Sequence, residues 1–111
     1  MTDRRAKAGL SQIQYYRVVP GGIEPCTLME WADQWNVAGH HIWKDTIGNV
    51  LVNTICLGFD VSCGFGSQLL FETAIISEAG GIEIVRRYST YEEAEKGHKA
   101  IVAEFREIRK E

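Results

Sequence analysis

The stretch HHIWKDTIGNVLVNTICLGFD, residues 40–60, decides the fold. HHIWKDTI and VLVNTICLGFD are rich in β-branched and aromatic residues at a strand's two-residue period, and Gly48-Asn49 between them is a two-residue hairpin turn. Downstream the pattern continues. Val61 to Gln68 (VSCGFGSQ) is a Gly- and Ser-rich loop, LLFETAII a strand, SEAGG a turn and IEIVRRY another strand. Turns this short join neighbours antiparallel, so the centre of the chain reads as a four-strand meander.

Upstream, Ile13 to Val19 (IQYYRVV) reads as a strand closed by Pro20-Gly21-Gly22, and Ile23-Glu24 as a short return that Pro25 ends. Thr27 and Glu30 have the spacing of a capping box, in which hydroxyl and carboxylate each satisfy a backbone N–H that the helix start leaves free. Leu28, Trp31, Ala32 and Trp35 follow on one helical face, and Gly39 is the stop. At the other end, Ser89 with Glu92 and Thr90 with Glu93 offer two overlapping boxes for a final helix. Its apolar stripe is Ala94, His98, Ile101, Val102, Phe105 and Ile108. Arg106, Arg109 and Lys110 lie where the helix dipole favours cations. The expected architecture is α+β: an antiparallel sheet of four to five strands with two helices packed on one face. Residues 12–111 form one domain, and residues 1–11 a flexible N-terminus.

Composition narrows the function classes. The 111 residues are 45% hydrophobic and 24% charged, ordinary values for one globular core. A net charge of −3, with Arg4, Arg5 and Lys7 as the only basic cluster, argues against nucleic acid as main partner. No apolar run has the length of a membrane span or a signal h-region, so the expected setting is the cytoplasm. Cys26, Cys56 and Cys63 are odd in number and lack C-x-x-C spacing, so neither a disulfide scaffold nor a zinc site is expected.

Four places could carry chemistry. His40-His41 invite a metal, but adjacent strand residues point to opposite faces, and no metal or other cofactor is expected. Cys56 sits in an apolar run and reads as core, and Cys63 lies in the loop without a local base. Gly64-Phe65-Gly66-Ser67 lacks the full phosphate-loop pattern and leads into a strand. Glu72 interrupts an otherwise apolar central strand. It calls for Arg86 or Arg87 on the next strand, or, if its face is open, forms a polar patch with Asn53 or Lys44. His98, on the apolar stripe, reads as a core histidine. The aromatic residues, among them Trp31, Trp35, Trp43, Tyr15, Tyr16, Phe59 and Phe65, are many for so small a chain, and most of them read as core. Surplus aromatic area at an edge would favour self-association or a planar ligand.

Val52 to Asp60, Leu70 to Thr73 and Arg87 to His98 together resemble a family of small phage and prophage proteins of uncharacterised function. That family carries V-S-T-V-x-L-G-L-D-H, L-F-E-T-M and R-Y-S-T-W-E-E-A-x-x-G-H in this order. Asn53 stands where serine is usual, Val61 where histidine follows the aspartate, and Ala74 in place of methionine. The resemblance implies a phage origin and brings no catalytic residues. The expected function is a non-enzymatic accessory binding protein acting in counter-defence, as inhibitor of a host immune protein or as sponge for a nucleotide signal. The partner is thus a host defence protein or a small nucleotide ligand, with a homo-oligomer as a further expectation. The expected partner-binding residues are Glu72, Arg87, Asn53, Asp60, Trp43 and His41. Two alternatives stand beside this: a small metal-dependent or hydrolytic enzyme using His41, Asp60, Glu72 and His98, and a structural assembly accessory.

Overall fold

The computed structural model describes residues 13–110. The flexible segment expected at residues 1–11 lies outside them. In chain order come strands β1 (Tyr15–Val19) and β2 (Gly22–Cys26), helix α1 (Leu28–Asn36), strands β3 (His41–Ile47), β4 (Val50–Cys56), β5 (Phe71–Ser77) and β6 (Ile82–Tyr88), and helix α2 (Tyr91–Lys110). The α+β class stands. β3 to β6 form a four-stranded antiparallel meander in sequence order, and β1 and β2 form a separate hairpin.

Two details differ from the expectation. The first strand does not join the main sheet, and only α2 lies on that sheet, whereas α1 packs on β1. The reason is visible at both edges of the hairpin. Gln34 of α1 accepts from the Val18 backbone N–H at 2.7 Å and donates to the Val18 carbonyl at 2.9 Å. Its amide thus takes the place of a further strand along β1. Pro25 lies within β2, which a strand tolerates only at an edge. Arg17 ties the two layers by bonding Glu24 of β2 at 2.7 Å and Glu30 of α1 at 3.4 Å. Trp31 fits over Gly58, whose φ of +83° and missing Cβ both matter there, and donates to the Leu57 carbonyl at 3.0 Å.

Both helices start as their sequence predicts. Thr27 and Glu30 form a reciprocal capping box. At α2 the Thr90–Glu93 box is the one realised, with Glu93 also accepting from the Ser89 N–H at 3.1 Å. α2 buries Ala94, His98, Ile101 and Val102, with Phe105 packed at the margin. Gly97 lets the helix settle on the Tyr88 ring, which occupies the space a Cβ would need. The core has two parts. Cys56, Leu70, Phe71, Tyr88 and Ala94 gather Tyr16, Val18 and Ile23 of the hairpin around them, and Ile47, Val52, Ile101 and Val102 lie further along α2.

Candidate functional site

Strand register sorts the polar residues of the sheet onto two faces. Asn53 pairs with Lys44 and Ala74, Ile55 with His41 and Glu72, and Glu72 with Arg87. Directly opposed residues share a face. His41, Ile55, Glu72 and Arg87 therefore form one row across the four strands, and Lys44, Asn53, Ala74 and Ile84 form the next. Thr46, Leu51, Ile76 and Ile82 form a third. This is the face opposite α2.

Two polar contacts organise the first two rows. Arg87 Nε donates to Glu72 Oε1 at 3.2 Å, so of the two arginines the interrupted apolar strand called for it is Arg87 that pairs, Arg86 lying opposite Thr73 on the other face. His41 Nδ1 lies 3.0 Å from Asn53 Oδ1, a bond that needs the proton on Nδ1. Asn53 is only 7% exposed between its neighbours, whereas Lys44 and Arg87 reach solvent. Beside this face, the Trp35 ring of α1 stacks on His40 at 3.7 Å and 12°, and His40 in turn lies 4.4 Å from His41. His40 Nδ1 is buried with no hydrogen-bond partner among the described residues. Burial, then the neighbouring charges of His41 and Lys44, bring its pKa down to about 4.

The other face holds a polar chain that sequence reasoning recognised only in part. Asp45 Oδ2 lies 2.7 Å from His98 Nε2, and His98 Nδ1 lies 2.7 Å from Thr54 Oγ1. Thr54 Oγ1 is 2.5 Å from Thr73 Oγ1, which is 3.0 Å from Tyr88 Oη. A carboxylate only accepts, so Nε2 donates to Asp45. With Nδ1 free to accept, donors then run one way, from Tyr88 through Thr73 and Thr54 to His98. An aspartate, a histidine and a hydroxyl in line have the order of an activated nucleophile. Here the hydroxyls are sealed: Thr54 and Thr73 have zero exposure, and His98 is 3% exposed. No reacting atom can come within about 3 Å of them, so the chain acts as polar core. A threonine next to a second polar residue inside each apolar run, Asn53-Thr54 and Glu72-Thr73, is the signal for it in the sequence. Pairing Thr54 with Thr73 and placing both beneath His98 required the tertiary structure.

The remaining expected residues fall elsewhere. Trp43 faces α2, 5.1 Å from Tyr91 and 5.9 Å from His98. Asp60 closes the loop between β4 and β5, accepting from the Ser62 N–H at 2.8 Å and the Leu69 N–H at 2.9 Å. These two backbone donors hold its carboxyl below the ordinary aspartate range. Cys56 is core, its thiol raised to about 11 by burial, and Cys63 is exposed in the loop. His41 and Glu72 lie on one face of the sheet, His98 on the other and Asp60 in the loop, so the four residues of the enzyme alternative do not converge. No three of the described His, Cys, Asp and Glu side chains gather as metal ligands, and no described helix is long and apolar enough to cross a membrane. Compared with known proteins, the chain matches no family model, no curated protein and no solved structure.

Proposed function

We propose that this chain is a non-enzymatic binding protein that recognises a macromolecular partner with the sheet face opposite α2. One observation carries the reading: Lys44, Asn53, Glu72 and Arg87 share that face with Leu51 and Ile76, and no described helix lies across it. Charged groups in the first two rows beside the apolar third row of Leu51, Ile76 and Ile82 give the face the mixed composition of a protein interface. A sheet face is broad and shallow, which suits a protein better than a nucleotide, since small ligands are held in concave sites. The resemblance to phage proteins supports an infected bacterium as the setting and a host defence protein as the partner. Binding that occupies the partner would suffice for counter-defence, and the sealed hydroxyls beneath α2 favour occupation over catalysis.

The test is affinity capture from infected bacterial cells, followed by reconstitution with the purified partner. Lys44→Glu and Arg87→Glu on the open face should abolish capture. Lys99→Glu on the outer side of α2, where Lys99 is 72% exposed, should leave it intact. Loss of the partner through the α2 substitution alone would place recognition elsewhere.

A further inference from the structure

β6 is the outer strand of the sheet, and its free edge is unlike that of β3. Ile82 is 69% exposed, Ile84 48% and Val85 41%. Along β3 the exposed side chains are Lys44 and Thr46. An edge strand presenting three β-branched apolar residues and a row of unpaired backbone groups is a template for another strand.

We propose that this edge pairs with the same edge of a second copy of the chain, joining two four-stranded sheets into one of eight. The argument is self-complementarity. A two-fold axis perpendicular to the sheet runs β6 antiparallel to itself and keeps each face with its like. The bulge in β6, where Arg86 pairs with Thr73 but Ile84 with Ala74, shifts the side-chain alternation at Val85. Glu83 and Arg86 consequently both face α2, while Ile82, Ile84 and Arg87 face away from it. With the axis between Ile84 and Val85, Glu83 lies opposite the partner's Arg86, twice by symmetry, and Ile82 lies opposite the partner's Arg87. Faces match at each of these pairs. Moving the register by one residue sets Ile82 against Arg86 or Tyr88, both of the other face, and moving it two residues toward Tyr88 restores the faces but loses the charge pairing. Neither Glu83 nor Arg86 has an ion-pair partner among the described residues, so both charges are free to serve. Arg86 also lines a hollow of about 500 Å³ between β6 and α2, together with Lys96 and Glu93. The inference does not rest on the proposed binding face, with which it shares Arg87, and it places the two copies' faces side by side.

Charge exchange tests both the dimer and its register. In sedimentation velocity the wild-type chain should run at twice its 12.5 kDa. Glu83→Arg sets arginine against arginine and Arg86→Glu sets glutamate against glutamate, so each variant should be monomeric. Mixed in equal amounts, the two should form a heterodimer, and the double variant should recover the homodimer. Hydrogen exchange of the wild type should show β6 amides gaining protection as concentration rises, a reading that needs no variant to fold. A wild-type chain that stays monomeric, a dimer indifferent to both single changes, or β6 amides that gain no protection would each overturn the proposal.

Discussion

Glu72 and Thr73 are neighbours in the chain and belong to two different environments. Thr73 has zero exposure and bonds only other protein groups, Thr54 and Tyr88. Glu72 lies on the face without a helix, paired with an Arg87 whose side chain is 44% exposed. Asn53 and Thr54 repeat the change of face one strand away, with Asn53 itself 7% exposed between its neighbours. A strand turns successive side chains to opposite sides, so a single residue step moves a polar group from closed core to open surface. Under α2 Thr54, Thr73, His98 and Tyr88 are buried and each polar atom must find a partner, which makes the chain that runs from them to the partly exposed Asp45 a fixed part of the structure. On the other face a polar group can exchange its bonds for those of a partner.

The contrast can be broken most severely from the closed side. Phe71 has zero exposure in the cluster beneath α2. Phe71→Ala should cost about 3–5 kcal/mol, read from the urea midpoint at constant slope. Thr73→Val keeps the shape but removes the hydroxyl that links Thr54 to Tyr88. It should cost about 1–3 kcal/mol, because both neighbours are left with an unmade bond in a dry site. Thr73→Val without effect would show that water reaches the chain.

Gly97→Ala sharpens the comparison at the helix itself. In an exposed helix interior this change stabilises by about 1 kcal/mol. Here the Tyr88 ring fills the space, and overpacking should turn the gain into a loss of about 1–3 kcal/mol, measured by calorimetry.

His40 offers a pH test at the border of the open face. Its folded pKa of about 4 lies below the ordinary 6.5, so the unfolded chain takes up a proton first. That contribution to stability is complete above about pH 6.5 and is lost as the pH falls toward 4. His40→Phe should flatten that part of the stability profile relative to wild type, as seen in denaturation series at pH 7 and pH 5. The smallest effect on stability belongs to Glu72→Gln. Its partner Arg87 is water-exposed, so the change should cost less than about 1 kcal/mol. The same substitution should abolish partner capture. A variant that melts and binds as wild type would remove Glu72 from the site.

Much of this was legible in the residues. The meander from Gly48-Asn49 onward, the Thr27–Glu30 and Thr90–Glu93 boxes and the pairing of Glu72 with Arg87 depend on spacing, turn chemistry and local hydrogen bonds. All of these act over a few residues or between adjacent strands. His98 on the apolar stripe of α2 is a core histidine for the same reason: its place follows from helical period. Of the expected site, His41, Asn53, Glu72 and Arg87 share one face because alternation along the strands puts them there.

What the tertiary structure decided is how separate elements meet. Trp43 lies within β3 and Asp60 four residues beyond β4, and nothing in their spacing says that one faces α2 while the other ties a loop. α1 sits on β1, away from the main sheet, because the Gln34 amide finds the Val18 backbone sixteen positions earlier. The chain from Asp45 to Tyr88 draws on β3, β4, β5, β6 and α2, and it exists only once the helix has closed over the sheet. Periodicity sets which way a side chain points, because backbone geometry is local. Which surface covers it depends on burying apolar area from distant parts of the chain, and that competition is settled by the whole fold.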